Sequence, residues 1–105
     1  MVVTGWSGGS AKAGASYGLY IGRANRDKHF MRTWQHVMIR LPDKTEVEVN
    51  MSLSFWRKST ELRSAEIGQW MINSRLAPWP KGNPPTFELK PLGPAKFRLI
   101  LPKER

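Results

Sequence analysis

Apolar and polar residues alternate most cleanly in the middle of the chain. In HVMIRL, Val37, Ile39 and Leu41 share one face; in TEVEVNM, Val47, Val49 and Met51 do the same. A period of two is that of a half-buried strand. Between the runs, PDK offers Pro42 and Asp43 for a tight turn, so the pair predicts a β-hairpin. YGLYI reads as a short earlier strand, and LSFW as an extension into a further one. TFEL and KFRLIL read as two more around KPLGP, with Phe97, Leu99 and Leu101 inward.

Two stretches change period. ANRDKHF predicts one or two helical turns, with Asn25 as N-cap and Phe30 turned inward. RKSTELR breaks the strand pattern with charge, and Ser64 then caps AEIGQWMIN. There Ile67, Trp70 and Met71 fall at i, i+3 and i+4, one apolar stripe. Gly68 weakens that helix by about 1 kcal/mol relative to Ala, so packing must hold it. Residues 1–16, rich in Gly, Ser and Ala, read as a flexible N-terminal arm in which Trp6 is the one large apolar side chain. APWPKGNPP is a Pro/Gly-rich connection. Strands dominate and turn signals recur at short spacing. The expectation is therefore one mainly β domain over residues 17–105, a barrel or sandwich with one or two short helices.

Composition adds a partner class. The chain has 105 residues, with 17 Lys plus Arg against 8 Asp plus Glu, a formal net charge of +9. Such an excess favours nucleic acid or an anionic surface as partner. The absence of cysteine excludes disulfides, thiolate metal sites and Cys nucleophiles. The N-terminus lacks the pattern of a signal peptide, and no apolar run approaches the roughly 20 residues that span a bilayer. The expectation is a soluble protein with no membrane partner, cytoplasmic in a bacterium or nuclear in a eukaryote.

The charge is concentrated where strand patterns break, in Arg23 to Arg32 and in Arg57 to Arg63. Loops at strand ends are where a barrel meets a partner. Arg, interleaved with Asn25, Ser54, Ser59 and Thr60, suits phosphates and guanine edges; Trp56 sits at the root of the second loop. The same segments also read as solvated loops of a basic protein. His29 and His36, the only histidines, show no metal-ligand spacing, and no metal or other cofactor is expected. Asp43 with Glu88-Leu89-Lys90 resembles the carboxylate and carboxylate-x-Lys pieces of metal-dependent nucleases, but Asp43 lies in the expected turn, far from Glu88 in sequence. The five tryptophans are scattered, against a stacking platform for single strands. Trp70 faces inward on its helix, and Trp79 and Trp34 are expected to close the two barrel ends.

The order of parts resembles the B3 DNA-binding domain of plant transcription factors and the B3-like recognition domains of certain bacterial restriction endonucleases. LYIGRANRDKHF resembles the family's first strand and following loop, with Arg23 where plant members usually carry lysine and Gly22 where they usually carry proline. SFWRKSTELRSAEIGQW resembles the second DNA-contacting loop and its helix, and KFRLIL the closing strand. The likeness covers roughly residues 17 to 101; the family's Gly-Asp turn after the helix is replaced by PWPKGNPP.

The resemblance implies a seven-stranded open pseudobarrel with two short helices, gripping the major groove of duplex DNA between two arms. The N-arm is Gly22 to Asn25, with Arg23 and Asn25 as contacts and Arg26 and Lys28 against the backbone. The C-arm is Ser54 to Thr60, with Trp56, Arg57, Lys58 and Ser59 as principal contacts. The implied role is sequence-specific DNA binding without catalysis, as a regulator or a restriction-type recognition module. The alternatives are an RNA or ribonucleoprotein-binding basic barrel, a module for an acidic protein partner, and the metal-dependent nuclease using Asp43, Glu88 and Lys90.

Overall fold

The computed structural model describes residues 1–8 and 16–101. Its elements are β1 (Val2–Ser7), β2 (Tyr17–Tyr20), α1 (Arg23–His29), β3 (His36–Arg40), β4 (Glu46–Asn50), α2 (Leu53–Arg57), β5 (Glu61–Arg63), α3 (Ala65–Asn73), β6 (Thr86–Gly93) and β7 (Lys96–Ile100). The seven strands form one sheet, ordered β4-β3-β7-β6-β1-β2-β5 and curled into a nearly closed barrel. Neighbouring strands are antiparallel except β3 and β7, which run parallel. The mainly β pseudobarrel is thus present, with three short helices where two were expected.

The hairpin forms as the alternation demands. Val37 pairs with Val49 and Ile39 with Val47, and all four are buried with Leu41. Phe87, Leu89, Phe97 and Leu99 fill the same interior from β6 and β7; Leu101, expected inward, is exposed. Each such fully buried side chain stabilises the fold by about 1.5–3 kcal/mol. In α3, Ser64 accepts from the Ile67 amide, and Ile67, Trp70 and Met71 face the core.

Three expectations are corrected. Residues 2–7 are no flexible arm: β1 lies inside the sheet between β6 and β2, with Val3 and Gly5 inward and Val2, Thr4 and Trp6 outward. Glycine suits the inward position 5 because a Cβ there would press on Trp79 and Pro85. The remainder of the expected arm, residues 9–15, lies outside the described residues. LSFW is not a strand but the start of α2, since the Ser52 hydroxyl accepts from the Phe55 amide and begins a helix. Glu61–Arg63 is a strand rather than loop; its pairing with β2 brings Gly18 so close to the Leu62 carbonyl that a side chain there would collide.

The connections sort the helices between the barrel's ends. α1 joins the end of β2 to the start of β3, and α2 joins the end of β4 to the start of β5. His36 pairs with Asn50, and the Ile21 amide bonds the Thr60 carbonyl. Both helices therefore stand at one end. α3 leaves β5 at the other end and packs beside the β3–β4 turn.

Candidate nucleic-acid interface

Gly22 carries the chain from β2 into α1 with φ 85° and ψ 152°. This conformation is nearly closed to residues with a Cβ. It is also closed to the proline expected from the family pattern, whose φ is fixed near −65°. Gly22, not Asn25, is the N-cap, and no side chain caps the helix. Asn25 instead donates its amide to the carbonyls of Val2 (2.8 Å) and Ile21 (3.1 Å). That ties α1 to β1.

Arg26 is the pin of the assembly. It is 7% exposed. Its Nη1 donates to the carbonyls of Phe55 (3.3 Å) and Trp56 (3.0 Å) on α2, and its Nε to Asp27 Oδ1 (2.9 Å). These carbonyls lie in the short α2 helix, where orphan acceptors need partners. A guanidinium can serve two carbonyls and a carboxylate at once because its donors form a rigid fork. A second join comes from the Thr60 carbonyl, which accepts from both Ile21 (2.8 Å) and Gly22 (3.4 Å) amides. Below these polar joins, Phe55 and Phe30 meet with ring centroids 5.3 Å apart.

The two basic loops are therefore one unit, and the expected contacts divide. Arg26 and Thr60 are buried, and Asn25 is committed to backbone carbonyls; these three position the loops. Trp56 is half-buried, edge-on to Phe55 at 5.4 Å. It lies under two guanidinium groups, Arg26 at 5.6 Å and Arg32 at 4.9 Å. Ser59 is half-buried, and the Ser54 hydroxyl shares a 2.9 Å hydrogen bond with that of Ser52. Both serines line a polar cleft of about 300 Å³ with Asn50, Ser52, Glu61 and Arg63, in the seam between edge strands β4 and β5. Arg23, Lys28, Arg57 and Lys58 are exposed.

Arg32 is also exposed and completes the set. No local pattern singles it out, because its placement depends on Trp56, which is distant in the chain. Asp27 is the only carboxylate in the two loops, 22–34 and 51–60. The hydrogen bond from Arg26, then the charges of Arg26, Arg32 and Arg23, hold its carboxyl below the usual range. One acid thus sits amid three guanidinium groups, and the surface stays strongly positive. His29 is held below its ordinary value by burial, then by the N-terminal ammonium and Lys28, so it adds no charge near neutral pH.

The opposite end differs in kind. A cleft of about 420 Å³ between α3 and the β3–β4 turn is lined by Leu41, Thr45, Val47, Gln69 and Trp70, with Asp43 and Glu66 and no cation. Asp43 accepts from the Thr45 amide at 2.9 Å and shapes the turn. Among the described residues, no group of three His, Cys, Asp or Glu side chains gathers as a metal site. The pieces of the nuclease pattern, Asp43 on the turn and Glu88 in β6, belong to no such cluster. The described helices include none long and apolar enough to cross a membrane. Comparison with protein families, curated proteins and solved structures yields no match.

Proposed function

We propose that this chain binds double-stranded DNA sequence-specifically through the barrel end that carries α1 and α2, without catalysis of its own. The supporting observation is the Arg26 bracket. It joins two basic loops that are far apart in sequence, while Arg23, Lys28, Arg32, Arg57 and Lys58 remain exposed around them. Pre-assembly matters because ordering loops at the moment of binding costs affinity. A rigid pair of prongs with Arg at the tips can meet both phosphates and base edges in a major groove. The geometry suits a B3-like module, serving a regulator or the recognition part of a restriction-type system.

Selection from a random duplex library tests the reading. One enriched sequence is expected, bound with a salt slope of about −0.9 per phosphate neutralised and no steeper than about −4.5 for five cations. Equal affinity for all duplexes, or preference for structured RNA, would overturn it.

A further inference from the structure

α2 exposes an apolar side chain in the middle of this cationic surface. Leu53 is 72% exposed, the highest value among the large exposed apolar residues described. Its orientation follows from Phe55, which is buried in the core. At 100° per residue, the positions two before and two after Phe55 lie about 160° round the helix from it, in opposite senses. Those positions are Leu53 and Arg57. The two are neighbours at i and i+4 on the outward face. They are flanked by the exposed Ser52, Ser54 and Lys58.

An isolated surface leucine needs no explanation. This one shares a helix face with the exposed Arg57, on a surface that also carries Arg23, Lys28, Arg32 and Lys58. In a major groove the apolar feature of a base edge is the pyrimidine 5-methyl group, which thymine carries and cytosine lacks. The charge around Leu53 fits a polyanion that brings such a methyl within reach of Arg57's neighbours.

We infer that Leu53 is a specificity-determining contact that packs on a pyrimidine 5-methyl group, thymine or 5-methylcytosine, next to the base pair met by Arg57. The inference rests on the DNA-binding reading and adds a ligand atom to it. It also predicts a direction of discrimination that phosphate contacts cannot produce.

The test uses the duplex enriched by the wild-type protein, with each thymine replaced in turn by uracil, which removes only the methyl. One position is expected to bind wild-type protein about fourfold more weakly, the worth of one buried carbon group. Leu53→Ala should bind the thymine and uracil duplexes equally. Cytosine and 5-methylcytosine at that position, each paired with guanine, distinguish the two methyl sources; a gain on methylation in wild-type protein alone assigns the contact to the methyl rather than to thymine's carbonyl. Because Leu53 is exposed, the variant should keep the wild-type melting temperature, which verifies that it folds. Uracil substitutions that are neutral throughout, or that weaken Leu53→Ala as much as wild type, overturn the Leu53 assignment and leave the DNA reading intact. Failure of the wild-type protein to enrich any duplex overturns both.

Discussion

The two ends of this barrel are built with opposite logic. At the α3 end, the helix holds itself: Ser64 caps it, Glu66 sits in its first turn, and Ile67, Trp70 and Met71 bury its inner face. Its cleft carries two carboxylates and no cation. At the other end, α1 and α2 are 7 and 5 residues long, too short to persist alone. α1 has neither a side-chain cap nor an acid in its first turn. Phe30 and Phe55 anchor them in the core, Asn25 and the Thr60 carbonyl tie the α1 segment to its neighbours, and Arg26 joins the two helices to each other. An end that is stable by itself can carry mixed charge, Arg40 and Lys44 standing beside Asp43 and Glu46 on the β3–β4 turn. An end whose parts are joined by one buried guanidinium can leave every other cation facing outward, at the cost of depending on that group.

The largest expected effect follows from that dependence. Arg26→Met removes the fork and leaves the Phe55 and Trp56 carbonyls without their donor, a loss of about 2–3 kcal/mol. For a chain of this size that lowers Tm by about 10–15 °C. Arg26→Lys should recover little, because a point charge cannot reach two carbonyls and a carboxylate together. Measured where both variants remain folded, duplex affinity should fall more than tenfold, although Arg26 is buried. A folded Arg26→Met protein with wild-type affinity would show that the loops do not need their bracket.

Arg57→Ala and Lys58→Ala sharpen the contrast within the exposed set. Both residues are exposed, so neither change should shift Tm appreciably. Loss of a base-reading Arg costs about 1–3 kcal/mol of affinity and relaxes preference at one base pair. Loss of a phosphate-contacting Lys weakens binding to all sequences and flattens the salt slope by about 0.9. Asp43→Ala makes the comparison between ends. It should cost about 1 kcal/mol of stability through the lost turn hydrogen bond, and leave duplex affinity unchanged. Mg²⁺-dependent cleavage by the wild-type protein that disappears in Asp43→Ala would instead revive the nuclease reading.

The sequence made the self-sufficient parts of the molecule legible and hid the parts that lean on others. The hairpin and α3 carry enough residues for a period to declare itself and have their own turn or cap. β1 was obscured because Gly5 fills an inward position that elsewhere holds a large side chain. β5 has three residues, too few for alternation to show. α2 resembles a strand in sequence because a five-residue helix does not complete two turns; the one local mark of a helix start is Ser52, three residues before Phe55. The division between Arg23 and Arg26 was partly available. The sequence turns Phe30 inward, and Arg26 lies four residues before it, on the same side of a helix. What no local pattern could supply was the partner, two carbonyls on a helix about 30 residues away.

Acid should loosen the same end, and more gently. The Asp27 carboxyl is held below its ordinary 3.8 by the hydrogen bond from Arg26, which outweighs the opposing effect of desolvation, with the charges of Arg26, Arg32 and Arg23 adding to it. A carboxyl with a depressed value in the folded state contributes stability that is fully present above its unfolded value. That contribution is lost as pH falls through the folded one. Asp27→Asn removes it at every pH. The Tm difference between wild type and Asp27→Asn should therefore be constant from neutral pH down to about pH 5 and shrink below 3.8. Because Asp43 and Glu46 are also depressed, the absolute Tm of both proteins will fall in acid, and only their difference isolates Asp27. Since Asp27 is solvent-exposed, screening should keep the difference small. A gap that stays constant through the acid range would mean that the carboxylate does not hold Arg26, and that the two α2 carbonyls alone set the bracket.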